Sequence, residues 1–297
     1  MGLAELSVEN RPLERSGGRR ISVVIPSIGR HSVAALREAL GRQSRKPDEI
    51  IIVRDEQRRG SGWARNEGIK RSAGDLIAFI DDDCEPPPDW LERLVAAVDR
   101  HDAAGAGGTY LETDPFLRDI RGRRGFPDAE QEDYIGWVGA GGNVVYKRTW
   151  LERLEKRDGH VFNESFTVSQ DIELSWRLRG FGARMVYVPV RVKHHKHLTP
   201  LEYFSFQFKR GTGIARLFIA HRANPGLVAA QRSLIWSPAG KTPRRYWLLA
   251  LWRKGLGPFD IGSFGRKWDF FLFWAGEKIQ GAGFLWGLIR LRPGSIK

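Results

Sequence analysis

Three consecutive carboxylates, Asp81, Asp82 and Asp83, follow directly on the apolar run Leu76–Ile80. The run has the length and composition of a buried strand. Where such a strand leaves its sheet, adjacent anions repel one another unless a cation or hydrogen-bond donors face them. A divalent metal is the simplest answer to that repulsion, and the oxygen-rich Asp-x-Asp pair of Asp81 and Asp83 suits Mg2+ or Mn2+. A solvated acidic turn is the alternative. On the far side, Pro86, Pro87 and Pro88 keep the chain extended, and Asp89 with Glu92 forms a capping box ahead of Leu91, Leu94, Val95 and Val98. The cluster is therefore expected at the carboxyl end of a core strand, where open α/β sheets bind ligands.

Two further groups have the right types for chemistry. Asp171 stands in the first turn of a helix whose inner face carries Ile172, Leu174, Trp176 and Leu178, with Ser169 placed to cap it. The helix dipole favours its ionised form there, which serves helix stability as well as it would serve a base. After the strand Met185–Val190 comes VKHHKH, with His194, His195 and His197. A neutral imidazole suits Mn2+ better than Mg2+; a solvated basic turn is the other reading.

The elements that must position these groups alternate. Ile21–Ile25 reads as a strand ended by Pro26, Ser32–Leu40 as an amphipathic helix ended by Gly41, and Ile50–Val53 as a second buried strand ended by Arg54 and Asp55. A Gly- and Arg-containing loop then opens a helix with Trp63, Ala64, Arg65, Asn66 and Ile69, before the strand at Leu76. This β-α-β-α-β order implies parallel strands joined by right-handed crossovers, with a nucleotide at the strand ends. Neither βα turn carries GxGxxG or GxxxxGK[ST], so no dinucleotide fingerprint or P-loop is offered.

Composition bounds the rest. The 297 residues, 41% of them hydrophobic, can build a real core. A single cysteine, Cys84, excludes an internal disulfide framework and a Cys-based zinc site. Residues 1–20 are polar, lack an apolar signal core and are expected to be a disordered lead-in. The net charge of +13 is concentrated: residues 198–297 hold 16 of the 48 basic side chains but 4 of the 35 acidic ones, and six of the eleven tryptophans. Basic and aromatic residues on apolar segments suit an anionic membrane surface, and less well a nucleic acid. The segments YWLLALWRKGLG and WDFFLFWAGEKIQGAGFLWGLIRLR are interrupted by charges short of the ~20 apolar residues of a spanning helix. Interfacial helices are expected; a bilayer hairpin or oligomer packing are the alternatives.

The stretches VVIPSIGR, IIVRDE, GSGWARNEGI and DLIAFIDDDCEPPPDWLE, followed by YIGWVGAGGNVVYKRTWLE and FTVSQDIELSWRLRGFGARMVYVP, resemble in order the glycosyltransferase family 2 enzymes. The resemblance covers about residues 21–197. It implies a GT-A type, Rossmann-like, mostly parallel sheet flanked by helices, followed here by a helical membrane-associating extension over 198–297. The nucleotide-binding half would span about 21–110 and the acceptor half about 111–197. It further implies an inverting transfer from a nucleotide-diphosphate sugar, a UDP- or dTDP-sugar in particular, to a lipid-linked or polysaccharide hydroxyl at the cytoplasmic membrane face.

By the same resemblance Asp171 is the general base, with Glu173 in reserve, and Asp83 is the metal ligand, joined by Asp81 and His194. Pro26, Asp55, Arg65, Asp81 and Asp82 fall on the nucleotide, Asp55 at the position that hydrogen-bonds the base. Arg65 and Asn66 are equally readable as a structural pair. Trp137, Gly141, Gly142, Asn143 and Gln170 fall on the acceptor side; the glycines allow close backbone approach to a sugar, and Trp137 stacks on it or belongs to the core. Arg54 and Gln170 depart from the family's commoner acidic residues. They motivate one rival expectation, a degenerate scaffold acting as a basic membrane- or nucleic-acid-binding module; a retaining transferase on the same fold is a second rival, decided by the anomeric configuration of the product. Residues 111–133, polar and Gly- and Pro-containing, are expected to be a connection near the site.

Overall fold

A computed structural model describes residues 8–9, 18–29, 32–122, 128–132, 141–221 and 267–290. The chain divides into two compact units, Met1–Thr113 with Phe126–His195, and Asp114–Gly125 with Lys196–Lys297.

In the first unit β2 (Ile21–Ser27), β3 (Glu49–Arg54) and β4 (Leu76–Ile80) are joined by α1 (Ser32–Gly41) and α2 (Ser61–Arg71). β2 pairs in parallel with both β3 and β4, as two successive crossovers require. Pro26 does not end its strand. The ladder from β2 to β4 stops at Val24 opposite Phe79, while β2 continues against β3 to Ser27, so Pro26 sits buried at a position with no partner strand on the β4 side. Val8–Glu9, within the segment expected to be disordered, forms β1 and pairs antiparallel with β3.

Beyond the acidic cluster come β5 (Cys84–Glu85), α3 (Trp90–Arg100), β6 (Gly105–Glu112), β8 (Asn143–Lys147), α5 (Arg148–Asp158), α6 (Gln170–Gly180) and β9 (Met185–His194), with the short β7 (Gln131–Glu132) before β8. The sheet order is β1-β3-β2-β4-β8-β6-β9-β5, with β7 also on β9. β8 runs antiparallel to β4 and β6, and β6 runs parallel to β9. Strand β6 was not legible because its first four residues, GAGG, carry no apolar signature.

Alternation along buried strands divides the core in two. Leu76, Ala78 and Ile80 of β4 face α1 and α3, packing with Leu36, Leu40, Trp90, Leu94 and Val98. Ile77 and Phe79 face the opposite layer, with Ala64 and Ile69 of α2, Leu151 and Leu154 of α5 and Leu174 and Leu178 of α6. A strand buried on both faces emits its next residues straight into a layer boundary, and the aspartates stand there. The expected capping box at α3 is absent. The Asp89 side chain makes no cap bond, and Glu92 instead accepts from Ser44 Oγ at 2.5 Å.

One side chain ties the two halves of this unit together. Asn66 on α2 donates to the Phe162 carbonyl and accepts from the Phe162 N–H, both at 2.8 Å, and also donates to Glu164 at 2.8 Å. It thereby anchors the loop that leads into α6.

In the second unit, α4 (Pro115–Gly122) packs through Phe116 and Leu117 against Tyr203 and Phe204 of α7 (Pro200–Ala220). This stretch, expected to be a connection beside the site, belongs instead with the C-terminal helices, because its apolar residues find their partners there. Thr199 and Glu202 cap α7 reciprocally, with Pro200 just inside. A 24-residue helix, α8 (Lys267–Arg290), runs alongside α7, close enough that a Cβ at Gly283 would lie 2.2 Å from the Phe208 carbonyl oxygen. Among the described residues no helix is long and apolar enough to cross a membrane. YWLLALWRKGLG lies outside the described residues.

Asn66→Ala strands a buried N–H and C=O of Phe162, each costing about 1–3 kcal/mol. Chemical unfolding should show a stability loss of that order, whereas Glu67→Ala, on the same helix, should change little.

Candidate active site

Each of the three aspartates at the end of β4 has its own partners. Asp82 is buried and accepts from Ser27 Oγ at 2.7 Å and from the Ile28 N–H at 3.4 Å, fixing the end of β2. Asp81 accepts from Arg65 Nη2 at 2.7 Å and from the Tyr110 hydroxyl at 2.8 Å. That hydroxyl in turn accepts from the Gly142 N–H at 3.0 Å. A Cβ at Gly142 would lie 2.4 Å from the Asp81 carboxyl, so only glycine lets β8 approach so closely. Asp83 points the other way, its Oδ1 3.4 Å from His194 Nε2.

His194 is the last residue of β9, not part of a turn, and its ring is almost fully buried. Its Nδ1 lies 2.9 and 3.0 Å from the two carboxylate oxygens of Glu112, and Tyr110 stacks on the ring at 4.6 Å between centroids. Burial disfavours its charged form, but hydrogen bonds to Asp83 and Glu112 outweigh that and hold the imidazole above its ordinary value. His195 turns outward to Glu85 at 3.3 Å, and His197 pairs with Asp114 at 3.1 Å within the second unit.

Among the described residues, ligand atoms of Asp83, Cys84 and His194 lie within 4.8 Å of one another. A carboxylate oxygen and an imidazole nitrogen fit Mn2+. Burial, then the nearby Asp81, Asp83 and Glu112 charges, push the Cys84 thiol well above its usual range. Asp81 is outside this group, its oxygens engaged by Arg65 and Tyr110.

Arg65 connects the acidic cluster to Asp171. Its side chain is 5% exposed, and its Nε is buried with no hydrogen-bond partner among the described residues. With the Gln170 amide oriented to satisfy its surroundings, Gln170 accepts from Arg65 Nη1 and donates to the Phe166 carbonyl, both at 2.8 Å. Gln170 also meets Ser61 Oγ. The guanidinium lies 3.1 Å from where a Cβ of Gly141 would stand, and the Gly141 N–H donates to Asp171 Oδ2 at 3.2 Å. Asp171 Oδ1 accepts from the Ile172 N–H at 2.9 Å. Asp171 is only half-buried, yet the protein packed around it raises its pKa above the usual 3.8, against the lowering pull of Arg65 and the backbone donors.

Several expectations are corrected here. Asn143 is fully buried, accepts from Trp90 Nε1 and donates to the Thr109 and Val190 carbonyls, so both its amide nitrogen and its side-chain oxygen are engaged inside the protein. Gln170 is committed inside the protein to Ser61, Phe166 and Arg65. Glu173, the reserve base, is buried in a two-bond pair with Arg177 at 2.7 and 2.9 Å. Ser169 does not cap α6 with its side chain; it adopts φ 63° and starts the helix through backbone geometry. Asp55, expected at the nucleobase, is not among these corrections: at the end of β3 it is buried and accepts from the N–H groups of Arg59 and Gly60 at 2.8 and 2.6 Å, holding the loop there. Trp137 lies outside the described residues. Tyr110 and Glu112 were missed altogether. Their i, i+2 spacing is the strand signal that places both on one face, but it is visible only once β6 is known to be a strand.

The model for glycosyl transferase family 2 matches residues 22–155. This stretch is a glycosyltransferase family 2 domain. A glucosyl-dolichyl phosphate glucuronosyltransferase of Haloferax volcanii is 36% identical over 65 residues, 22% of this chain and 21% of that protein. The succinoglycan biosynthesis protein ExoO of Rhizobium meliloti is 38% identical over 164 residues, 48% of this chain and 44% of that protein. The chain thus spans less than half the length of these curated relatives. Among solved structures, a mannosyltransferase from Pyrobaculum calidifontis, in complex with GDP-Man and Mn2+, superposes with a TM-score of 0.57 at 15% identity, covering 95% of this chain and 90% of its own. The family 2 domain therefore has the GT-A fold, and the acidic cluster lies within it.

The raised pKa of Asp171 has a thermodynamic signature. A carboxyl group that titrates higher folded than unfolded is destabilised in its charged form, so its contribution to stability falls as pH rises from about 3.9 through the folded value. The melting temperature of Asp171→Asn minus that of the wild type should therefore increase between pH 4 and pH 7. A difference constant with pH would show that Asp171 titrates normally.

Proposed function

We propose that this chain transfers a sugar from a nucleoside-diphosphate donor to a hydroxyl acceptor, with divalent-cation assistance and inversion at the anomeric carbon. The observation that carries this reading is the pairing, across one buried arginine, of an oxygen-and-nitrogen cation site with a carboxyl group of raised pKa. Asp83 and His194 would hold the cation, whose charge would offset that building on the departing diphosphate. Arg65, whose guanidinium end lies beside Gly141 and whose Nε finds no hydrogen-bond partner among the described residues, would offer its charge to an anionic oxygen of the donor. Asp171, its two oxygens oriented by the Gly141 and Ile172 N–H groups, accepts the proton of the attacking hydroxyl. The half-exposure of Asp171 supports this role, since a base must be both desolvated and within reach.

The test is release of nucleoside diphosphate from a panel of UDP-, dTDP- and GDP-sugars with Mn2+. Asp83→Ala should lower turnover about 100-fold or more, and Asp171→Asn about 10²–10⁴-fold, with both variants folded. Turnover surviving both substitutions overturns the reading. The anomeric configuration of the product, by NMR, separates inversion from retention.

For the C-terminal unit we infer contact with an anionic membrane surface on the cytoplasmic side, where a lipid-linked acceptor would be presented. Leu285, Trp286, Leu288 and Ile289 of α8 are exposed together, and Arg290 lies over the Trp286 ring at 4.5 Å. An apolar face ending in an arginine-backed tryptophan, within a strongly basic segment, matches the physics of an interfacial helix. Full-length protein should co-sediment with phosphatidylglycerol vesicles and not with phosphatidylcholine ones, and Leu285→Glu with Ile289→Glu should abolish the difference.

A further inference from the structure

The histidine at the cation site is gripped from behind. The ladder between β6 and β9 is irregular between Gly107 and Thr109: Gly107 pairs with Tyr187 but Thr109 with Arg191, so β9 places Val188, Pro189 and Val190 opposite the single Gly108, where a Cβ would lie 2.1 Å from the Val190 carbonyl oxygen. That irregularity resets the parallel register so that Tyr110 falls opposite Val192 and Glu112 opposite His194. On the other edge of β9, Cys84 falls opposite His194. The imidazole is thus flanked by a strand on each side, with Glu112 beside it and Tyr110 stacked on it. The Glu112 side chain is 0% exposed, and both its oxygens lie within 3.0 Å of His194 Nδ1. An imidazole whose Nδ1–H is donated to a carboxylate has its ring plane fixed, and here Nε2 is the atom that faces Asp83 at 3.4 Å.

We propose that Glu112 is a positioning residue for the cation site. It fixes the orientation of His194 so that Nε2 and Asp83 converge, and the extra residues of β9 opposite Gly108 are the structural device that sets Glu112 against His194. The inference rests on the cation reading given above but adds a residue to it. Partners of this kind, behind a ligating histidine, typically change metal affinity 10- to 100-fold when removed.

Two substitutions separate geometry from charge. Glu112→Gln keeps the length and one acceptor oxygen for Nδ1–H but removes the charge; Glu112→Asp keeps the charge but withdraws the oxygens. Mn2+ binding to the full chain, followed by the loss of the free Mn2+ EPR signal, should weaken about 10- to 100-fold in Glu112→Asp and clearly less in Glu112→Gln. Combined with His194→Ala, the Glu112→Asp change should have no further effect, because its only route to the cation is through the imidazole. The preference for Mn2+ over Mg2+, which a nitrogen ligand confers, should fall in Glu112→Asp and in His194→Ala alike. Wild-type affinity in a folded Glu112→Asp, a larger loss in Glu112→Gln than in Glu112→Asp, or a full additional loss on top of His194→Ala would each overturn the proposal. A wild-type chain that binds no Mn2+ would overturn both this inference and the cation reading beneath it, whereas the variant results bear on Glu112 alone.

Discussion

Three carboxylates in a row at the end of a doubly buried strand cannot all be left to repel one another. The surrounding architecture supplies a different answer to each. Asp82 takes the hydroxyl and N–H donors at the end of β2; Asp81 takes a buried guanidinium and a tyrosine hydroxyl; Asp83 faces an imidazole. Two of the three are thereby converted from charge hazards into struts that join β2, α2, β6 and β8 at one point. The third faces the imidazole of His194, with Cys84 alongside.

The same economy governs the opposite side of the site. Arg65 is held by Asp81 and Gln170 and approaches Gly141, whose N–H reaches Asp171. Asn66, its neighbour on α2, is turned the other way and anchors the loop before α6 through Phe162 and Glu164. A single helix thus positions a buried guanidinium and, one residue on, the loop that leads into α6, whose first turn holds Asp171. Rigid elements with buried, satisfied polar contacts hold such constellations more accurately than exposed loops do.

Much of this was legible from residue types. The β-α-β-α-β order, the site at the end of β4 and the helix containing Asp171 all follow from local periodicity and breakers, which act over a few residues. Other features were misread because local pattern competes poorly with tertiary partners. Asn143 ends a glycine run and Gln170 immediately precedes Asp171, and nothing in the sequence says that Trp90, Thr109 and Arg65 take up their hydrogen bonds. The stretch 115–122 reads as polar connection, yet Phe116 and Leu117 pack with Tyr203. The capping boxes divide the same way: Thr199 and Glu202 cap α7, while at α3 Glu92 is drawn to Ser44 instead.

The sequence by itself determined which groups could do chemistry and at which end of which strand the first of them would lie, because strand burial, proline breaks and carboxylate repulsion are properties of neighbouring residues. Only the tertiary structure decided which of them share a site. The meeting of Glu112 with His194 depends on a register set by the extra residues of β9 opposite Gly108, between strands some eighty residues apart, and that of Arg65 with Asp171 on how α2 and the Gly141 backbone pack. Register and packing are settled by the whole sheet minimising exposed apolar surface and unpaired polar groups, a global condition that no short stretch of sequence encodes.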